Sequence, residues 1–233
     1  MEKHCNHGGG SDKACIRLVP IFNHLEDDRM DEIMKLTRST SYKKGEIIYR
    51  AGEESDSLYI VSQGKIKIYR LSESGKEQLV RILLPGDFTG ELALFREEVH
   101  ESYAEAMEET KVCMITRFDL QELLLKYPSI SLKILSEFSQ RLETSEKQTT
   151  RVATETVETR LALFLVECVE KDKQSLEIML PMSKKDLASY LGTTPETLSR
   201  KLTDLEEAGY IKQMERRKIK ILNFDGLTMV GII

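Results

Sequence analysis

The chain of 233 residues is long enough for one large domain or two smaller ones, and its 40% hydrophobic and 31% charged residues are those of an ordinary globular protein. No apolar run approaches the roughly 18 residues of a membrane-spanning helix, and the first residues lack the apolar core of a secretory signal. We therefore expect a cytoplasmic protein with no membrane partner, whose four cysteines are free, metal-bound or redox-active rather than structural disulfides.

The N-terminal residues predict a flexible arm, which we place over residues 1–20. It opens with a polar, Gly-rich stretch and carries four side chains of the kind that bind zinc or iron: His4, Cys5, His7 and Cys15. The residues from Ile16 to about Arg38 predict short helical pieces.

Short β runs with glycine at the turns mark the region from residue 42 to residue 115. Ile66 and Ile68 alternate with lysines, which is the pattern of a strand with one buried face. The runs are Glu46–Arg50, Ser57–Ser62, Lys65–Leu71, Glu77–Leu84, Tyr103–Ala106 and Lys111–Ile115. Their regular spacing predicts an antiparallel β-roll or jelly roll, which we place over residues 21–125.

A helical period replaces the β pattern from about Phe118 to Glu158. Positions at alternating intervals of three and four are Leu135, Phe138, Leu142, Ser145, Thr149 and Val152. This is the spacing of a coiled coil, and it predicts a dimerisation helix over residues 126–157. A helix packed on its own β-roll is the alternative.

Residues 183–209 carry the start and stop signals of two short helices. Ser183 and Asp186 resemble a capping box, and Gly192 suits the tight turn that ends the first helix. Thr194 is a good N-cap for the second helix, because its hydroxyl can accept from a free N–H of the first turn. Pro195 tolerates the first helical position. The pattern predicts a helix-turn-helix, with an ordinary helical hairpin as the alternative.

Two further β runs, over residues 210–214 and 218–222, predict a hairpin wing after the second helix. From Lys212 to Lys220 there are five basic residues against the single Glu215, a local basic patch in a chain whose formal net charge is -5. We expect a winged helix-turn-helix over residues 158–233 that binds double-stranded DNA. The basic tip, consisting of Arg216, Arg217 and Lys218, would contact phosphates.

The first turns of the second helix would face the major groove in this arrangement. Glu196, Ser199 and Arg200 share one helical face at i, i+3 and i+4, and Thr194 stands at its start. Arginine binds guanine O6 and N7 bidentately, glutamate accepts from cytosine N4, and serine bonds either partner. These side chains are therefore the candidate DNA contacts.

The sequence resembles the CRP/FNR superfamily of bacterial regulators from about Phe22 to Phe224. The matching pieces include PGDFTGELALF at 85–95 and TPETLSR at 194–200. The resemblance implies an α+β fold with an N-terminal β-roll sensor domain, a long dimerisation helix and a C-terminal winged helix-turn-helix. The E-x-x-S-R arrangement is closer to the FNR branch, and implies a homodimer on a palindrome of TTGA-type half-sites, with RNA polymerase as a partner. Pro195 departs from that branch's usual residue.

The resemblance also bears on the effector. In the cyclic-AMP branch, Gly-Glu and a later Arg-Ser hold the nucleotide. Gly90 and Glu91 are present here, but Glu101 takes the place of the arginine ahead of Ser102. A carboxylate repels a cyclic phosphate, and we expect no nearby arginine to replace the lost charge pair. Cyclic AMP is therefore not the expected effector.

Thiol chemistry is the stronger prediction for the effector. The iron–sulfur members of the family bind their cluster with three cysteines in the arm and one at the end of the barrel. Cys113 matches the barrel cysteine. The arm has only two cysteines, Cys5 and Cys15, so the third arm ligand is missing. The sequence looks like the Flp-type proteins of low-GC Gram-positive bacteria, which implies a reversible disulfide between Cys113 and Cys5 or Cys15. The alternatives are a zinc or iron–sulfur site built on His4, Cys5, His7 and Cys15, or another small ligand.

No nucleophile–base pair, paired carboxylates or phosphate-binding glycine loop is recognisable, so we do not expect an enzyme. A ligand-binding protein that regulates a partner without contacting DNA is the other rival class. The helix-turn-helix signals and the basic wing argue against it.

Overall fold

The computed structural model describes residues 16–95, 98–171, 176–215 and 217–232. Five predicted site residues lie outside these ranges: His4, Cys5, His7, Cys15 and Arg216. The chain divides into two compact units, Met1–Leu142 and Glu143–Ile233. Within the described ranges, no helix has both the length and the apolar character required to cross a membrane.

The N-terminal unit is built on an antiparallel β-roll. Helix α1 (Asp27–Leu36) precedes the strands β1 (Arg38–Tyr42), β2 (Ile47–Tyr49), β3 (Glu54–Ser55), β4 (Ser57–Gln63), β5 (Ile66–Leu71), β6 (Glu77–Leu83), β7 (Phe88–Thr89), β8 (Glu98–Val99), β9 (Tyr103–Ala106) and β10 (Thr110–Thr116). Two four-stranded sheets have the orders β1-β10-β4-β7 and β2-β9-β5-β6, and β3 pairs with β8. All six predicted runs are observed as strands.

Strand β10 separates two apolar cores because its side chains alternate. Cys113 and Ile115 face a cluster that includes Ile16 and Phe22 from the start of the described chain. Val112 faces the second cluster, inside the roll. Period-two alternation therefore gives β10 two buried faces, as a central strand requires.

The helical segment after the roll is interrupted once. Helix α2 (Arg117–Lys126) is capped by the Thr116 hydroxyl, which accepts a hydrogen bond from the Asp119 N–H. Helix α3 (Pro128–Thr154) starts at a proline, which suits a first helical position and disfavours helical backbone at Tyr127. The helical region predicted from Phe118 therefore contains two helices, and the second, α3, lies within the predicted helix over residues 126–157.

The C-terminal unit contains the helices and strands expected of a winged helix-turn-helix. These are α4 (Val157–Lys171), β11 (Glu177–Met179), α5 (Lys184–Tyr190), α6 (Pro195–Glu207), β12 (Ile211–Gln213), β13 (Lys218–Ile221) and α7 (Phe224–Ile232). The wing is a three-stranded antiparallel sheet of order β11-β13-β12, whose first strand the sequence analysis missed. The predicted α+β fold class is confirmed.

Candidate nucleic-acid interface

The first helix of the motif and its turn form as their capping residues predict. The Ser183 hydroxyl accepts from the Asp186 N–H at 3.1 Å and donates to the Asp186 carboxylate at 2.5 Å. Gly192 has a φ of +66°, a left-handed conformation that costs glycine little. The Thr193 N–H donates to the Ala188 carbonyl at 2.9 Å, which closes the end of α5.

Helix α6 begins at Pro195 with Thr194 as its N-cap. The Thr194 hydroxyl accepts from the Thr197 N–H at 3.3 Å. Hydrogen bonds from the Glu196 backbone N–H and from the Thr194 hydroxyl lower the pKa of Glu196 below its ordinary value. The Glu196 side chain is therefore a charged acceptor at neutral pH, at the helix end that favours negative charge.

The two faces of α6 are sharply different. Leu198, Leu202 and Leu205 are completely buried, and α6 packs against α5 on this side. Since successive residues are about 100° apart around a helix, Glu196, Ser199 and Arg200 fall on the opposite face. All three are exposed. The structure thus brings the predicted base-contacting side chains together on one free surface.

The wing presents exposed basic side chains beside this helix. Arg217 and Lys218 are exposed at the tip, where the Lys218 N–H donates to the Glu215 carbonyl at 3.2 Å. Glu206, near the end of α6, accepts from both the backbone and the side-chain amide of Gln213 in β12, at 2.9 Å each. These bonds fix the wing relative to α6.

Lys201 has a role that the sequence analysis missed. Its Nζ lies 2.8 Å from Glu158 Oε2 in the first turn of α4 and 2.9 Å from Asp204 Oδ2. These hydrogen bonds raise the pKa of Lys201. The i, i+3 spacing to Asp204 was visible in the sequence, whereas the link to Glu158 requires the fold. Lys201 thus connects the second helix of the motif to α4 without facing the exposed surface.

The β-roll contains a second polar site, centred on Glu91. Gly90 has a φ of +82°, and a Cβ there would come within 2.3 Å of the Ser57 carbonyl oxygen. Glu91 Oε1 lies 2.9 Å from Arg81 Nη2 and 2.7 Å from Arg141 Nη1. Arg141 also donates to the Phe88 carbonyl at 3.0 Å.

The expectation that no arginine lies near this site was therefore wrong. Arg81 and Arg141 lie 10 and 50 residues from Glu91 in the sequence, and the fold brings both to it. Burial by itself would raise the pKa of Glu91, but the two guanidinium groups outweigh it, so that the pKa lies below its ordinary value. Glu101, which replaces the family arginine, forms an exposed ion pair with Arg70.

We expect Glu91→Gln to destabilise the β-roll by about 2 kcal/mol at neutral pH, the scale of a lost hydrogen bond to a charged group, because two half-buried guanidinium groups lose their carboxylate. Since the folded-state pKa of Glu91 is lowered, its contribution is present above the unfolded-state pKa and is lost as pH falls through the folded-state value. Thermal unfolding at pH 7 and pH 4 measures this effect. A variant whose midpoint equals that of the wild type at pH 7 would contradict it, and the difference should shrink at pH 4.

Cys113 is buried, with 1% of its surface exposed. It pairs with Ile60 and Ser39 across the central part of its sheet and belongs to the same apolar cluster as Ile16. Cys168, in α4, is half-buried. In the described part of the chain, no group of three or more metal-binding side chains is found.

Comparisons with known proteins agree with this geometry. Residues 39–127 match the family described as "Cyclic nucleotide-binding domain", and residues 159–230 match "Crp-like helix-turn-helix domain". The "Probable transcriptional regulator flp" of Lacticaseibacillus casei is 35% identical over 214 residues, which cover 92% of this chain and 96% of that protein. The chain belongs to the CRP/FNR family. This CRP/FNR protein is a transcription regulator with a DNA-binding helix-turn-helix, and it is not an enzyme.

Other relatives span similar lengths of this CRP/FNR regulator. The "Transcriptional activator protein Anr" of Pseudomonas protegens is 32% identical over 210 residues, or 88% of this chain and 84% of that protein. The structure of FixK2 from Bradyrhizobium japonicum has a TM-score of 0.74 and 29% identity, and covers 83% of this chain and 96% of that one.

Proposed function

We propose that this CRP/FNR regulator binds DNA as a homodimer, on a palindrome of two TTGA-type half-sites. The observation that carries the proposal is the exposed face of α6, where Glu196, Ser199 and Arg200 stand opposite three buried leucines. In this proposal residues 21–125 form the sensor domain, residues 126–157 the dimerisation helix and residues 158–233 the DNA-binding domain.

Each DNA-contacting side chain has a separate role. Arg200 donates to guanine O6 and N7, Glu196 accepts from cytosine N4, and Ser199 bonds an adjacent base edge. Thr194, Arg217 and Lys218 contact phosphates, which position the protein without reading the sequence. We also assign Arg216 to the phosphate contacts, because it directly precedes Arg217 in the sequence.

Homodimerisation is supported by an exposed apolar stripe in the N-terminal unit. On α3, Leu132, Leu135 and Leu142 are 71%, 58% and 61% exposed. Phe95 is 60% exposed and lies edge-on to Phe138 of α3, with 5.9 Å between ring centroids. Large apolar side chains clustered in this way mark an interaction surface, and their heptad spacing fits a second copy of α3.

We further propose that a disulfide between Cys113 and Cys5 or Cys15 modulates DNA binding. Support comes from Ile16, which is fully buried in the cluster that contains Cys113 and directly follows Cys15 in the sequence. A four-cysteine iron–sulfur cluster fits the chain poorly, because Cys168 belongs to an apolar helix and only two cysteines precede Ile16.

Cyclic AMP is not the effector in this proposal, because Arg81 and Arg141 are already paired with Glu91 and Glu101 adds negative charge. RNA polymerase is the proposed protein partner.

A gel-shift titration tests the DNA-binding proposal. We expect the protein, in at least one of its two redox states, to bind a TTGA-N6-TCAA duplex at least about 1,000-fold more tightly than a scrambled duplex. This ratio is the usual lower limit for a specific regulator. Equal affinity for the two duplexes would overturn the proposed half-site. Salt concentration must be the same for both, because phosphate contacts dominate nonspecific binding.

Redox control is tested by the same titration on wild type and Cys113→Ser. We expect the affinities of oxidised and reduced wild type to differ, and those of oxidised and reduced Cys113→Ser to agree, because the variant cannot form the disulfide. Cys168→Ser, the control, should behave as the wild type. Peptide mapping of the oxidised protein should find Cys113 joined to an arm cysteine; a redox response that persists in Cys113→Ser contradicts the proposal. Zinc or iron in anaerobically purified protein would favour the metal alternative.

A further inference from the structure

A cavity of about 340 Å³ lies inside the C-terminal unit, between the last turns of α3, helix α4 and the end of α5. Its volume falls at the lower end of the roughly 300–1,000 Å³ that small-molecule sites occupy. The side chains that matter here are Arg151, Val152, Arg160, Phe164, Glu167 and Tyr190. None of them belongs to the DNA-contacting face or to the polar site of the β-roll.

The cavity contains a buried cation whose hydrogen bonding is incomplete. Arg160 is 8% exposed, and its Nη1 donates to the carbonyls of Val152 at 2.9 Å and Glu155 at 3.2 Å. Its Nε is shielded from solvent and has no acceptor among the described residues. No carboxylate pairs with this guanidinium among the described residues, since both acceptors of its Nη1 are backbone carbonyls. A buried charge without a counter-ion is costly, and an anion in the cavity would supply one.

The other charges at the cavity are paired, which leaves Arg160 as the group that an anion would neutralise. Arg151 Nη1 lies 2.6 Å from Glu167 Oε1, so these two side chains neutralise each other across the wall. Lys147 also lines the cavity, and Glu167 is the one carboxylate among the described lining residues. Lys147 is itself paired with Glu143 at 2.6 Å. Arg160 is therefore the basic group of the wall that has no carboxylate partner among the described residues.

The remaining wall is apolar and aromatic. The rings of Phe164 and Tyr190 lie 5.9 Å apart between centroids and are tilted by 58°. Val152 adds its methyl groups beside them. A wall made of two tilted rings and a branched aliphatic side chain suits a ligand with a flat aromatic ring better than a ligand that is a chain of polar groups.

We propose that this cavity binds a small aromatic carboxylate, with its carboxylate on Arg160 and its ring against Phe164 and Tyr190. The ligand would lie directly behind the helix-turn-helix. The Gln148 side-chain amide donates to the Tyr190 carbonyl at 3.4 Å, and the methyl groups of Val152 approach Gly192 of the turn. Occupancy therefore favours one placement of α5 and its turn against α3, and couples to DNA affinity. This coupling, unlike the binding itself, rests on the proposed function.

Benzoate and its neutral counterpart benzamide, which has the same shape, are the probes. We expect benzoate to shift the methyl resonances of Val152 and Leu191 saturably in the full-length protein, and benzamide to bind at least tenfold more weakly. Arg160→Gln should weaken benzoate binding at least tenfold, the factor expected for one lost hydrogen bond to a charged group. Glu167→Gln, which removes the competing carboxylate, should tighten it at least threefold.

Several results would overturn the proposal: no saturable shift, equal affinity for benzamide, or a Glu167→Gln variant that binds benzoate no more tightly than the wild type. The last variant decides the matter even if Arg160→Gln fails to fold. Arg200→Ala is the matched control, because it changes a DNA-contacting cation outside the cavity and should bind benzoate as the wild type does. Benzoate binding without an effect on DNA affinity would contradict the coupling alone.

Discussion

Replacing Leu135 and Leu142 together by glutamate is expected to convert the protein to monomers and to weaken binding to the palindrome at least about 100-fold. Both leucines are more than half exposed on α3, one heptad apart. Like charges facing each other across a two-fold interface repel, and the second half-site is then no longer bound within the same complex. Linking two binding modules is worth about 10²–10⁴ in affinity, which is what the variant would lose.

Light scattering with sedimentation measures the mass of this variant, and anisotropy measures its DNA affinity. Leu125→Glu is the matched control: Leu125 is 79% exposed, but it lies on α2 and not on the apolar stripe of α3. The control should remain dimeric and bind DNA as the wild type does. A double variant that stays dimeric would show that α3 does not form the interface.

Arg200→Ala is expected to lower affinity for the TTGA palindrome by about 5- to 150-fold per half-site and to relax specificity at one base pair, because a bidentate contact to guanine is worth roughly 1–3 kcal/mol. The side chain is exposed and lies on the face of α6 opposite the buried leucines. Its loss should therefore leave the fold unchanged, since no packed group is removed. Affinities for duplexes carrying each of the four base pairs at the tested position measure the effect.

Lys218→Ala provides the comparison for Arg200→Ala. Lys218 is exposed on the wing, where a phosphate contact is proposed. Its loss should weaken binding to all duplexes equally and reduce the salt dependence by about one phosphate contact. If Arg200→Ala shows this uniform behaviour and keeps full base discrimination, Arg200 contacts a phosphate and not a base.

Local signals predicted the parts of the fold that depend on nearby residues. The six principal strands followed from period-two alternation between glycines. Helices α5 and α6 followed from capping chemistry at Ser183 and Thr194, which the structure reproduces with the expected hydrogen bonds. Such signals are reliable because a cap and its first turn are only three residues apart.

Features that depend on distant residues could not be predicted in this way. Strand β1 has the sequence RSTSY, which carries no apolar alternation, and it forms because it pairs with β10 at the edge of a sheet. The Arg81–Glu91–Arg141 cluster joins a strand, a short turn and α3. Lys201 finds Glu158 only when α4 and α6 pack together. Pairing across such separations leaves no periodic trace in the sequence.

The proposal that a two-fold dimer binds a palindrome through α6 is tested most directly by changing the spacing of the half-sites. Anisotropy would compare TTGA-N6-TCAA with a duplex whose spacer is about 5 base pairs, half a helical turn, longer. We predict two chains per duplex on the first and at least about 100-fold weaker binding to the second, because one half-site is then turned to the opposite side of the DNA. Equal affinity for the two duplexes would contradict the account.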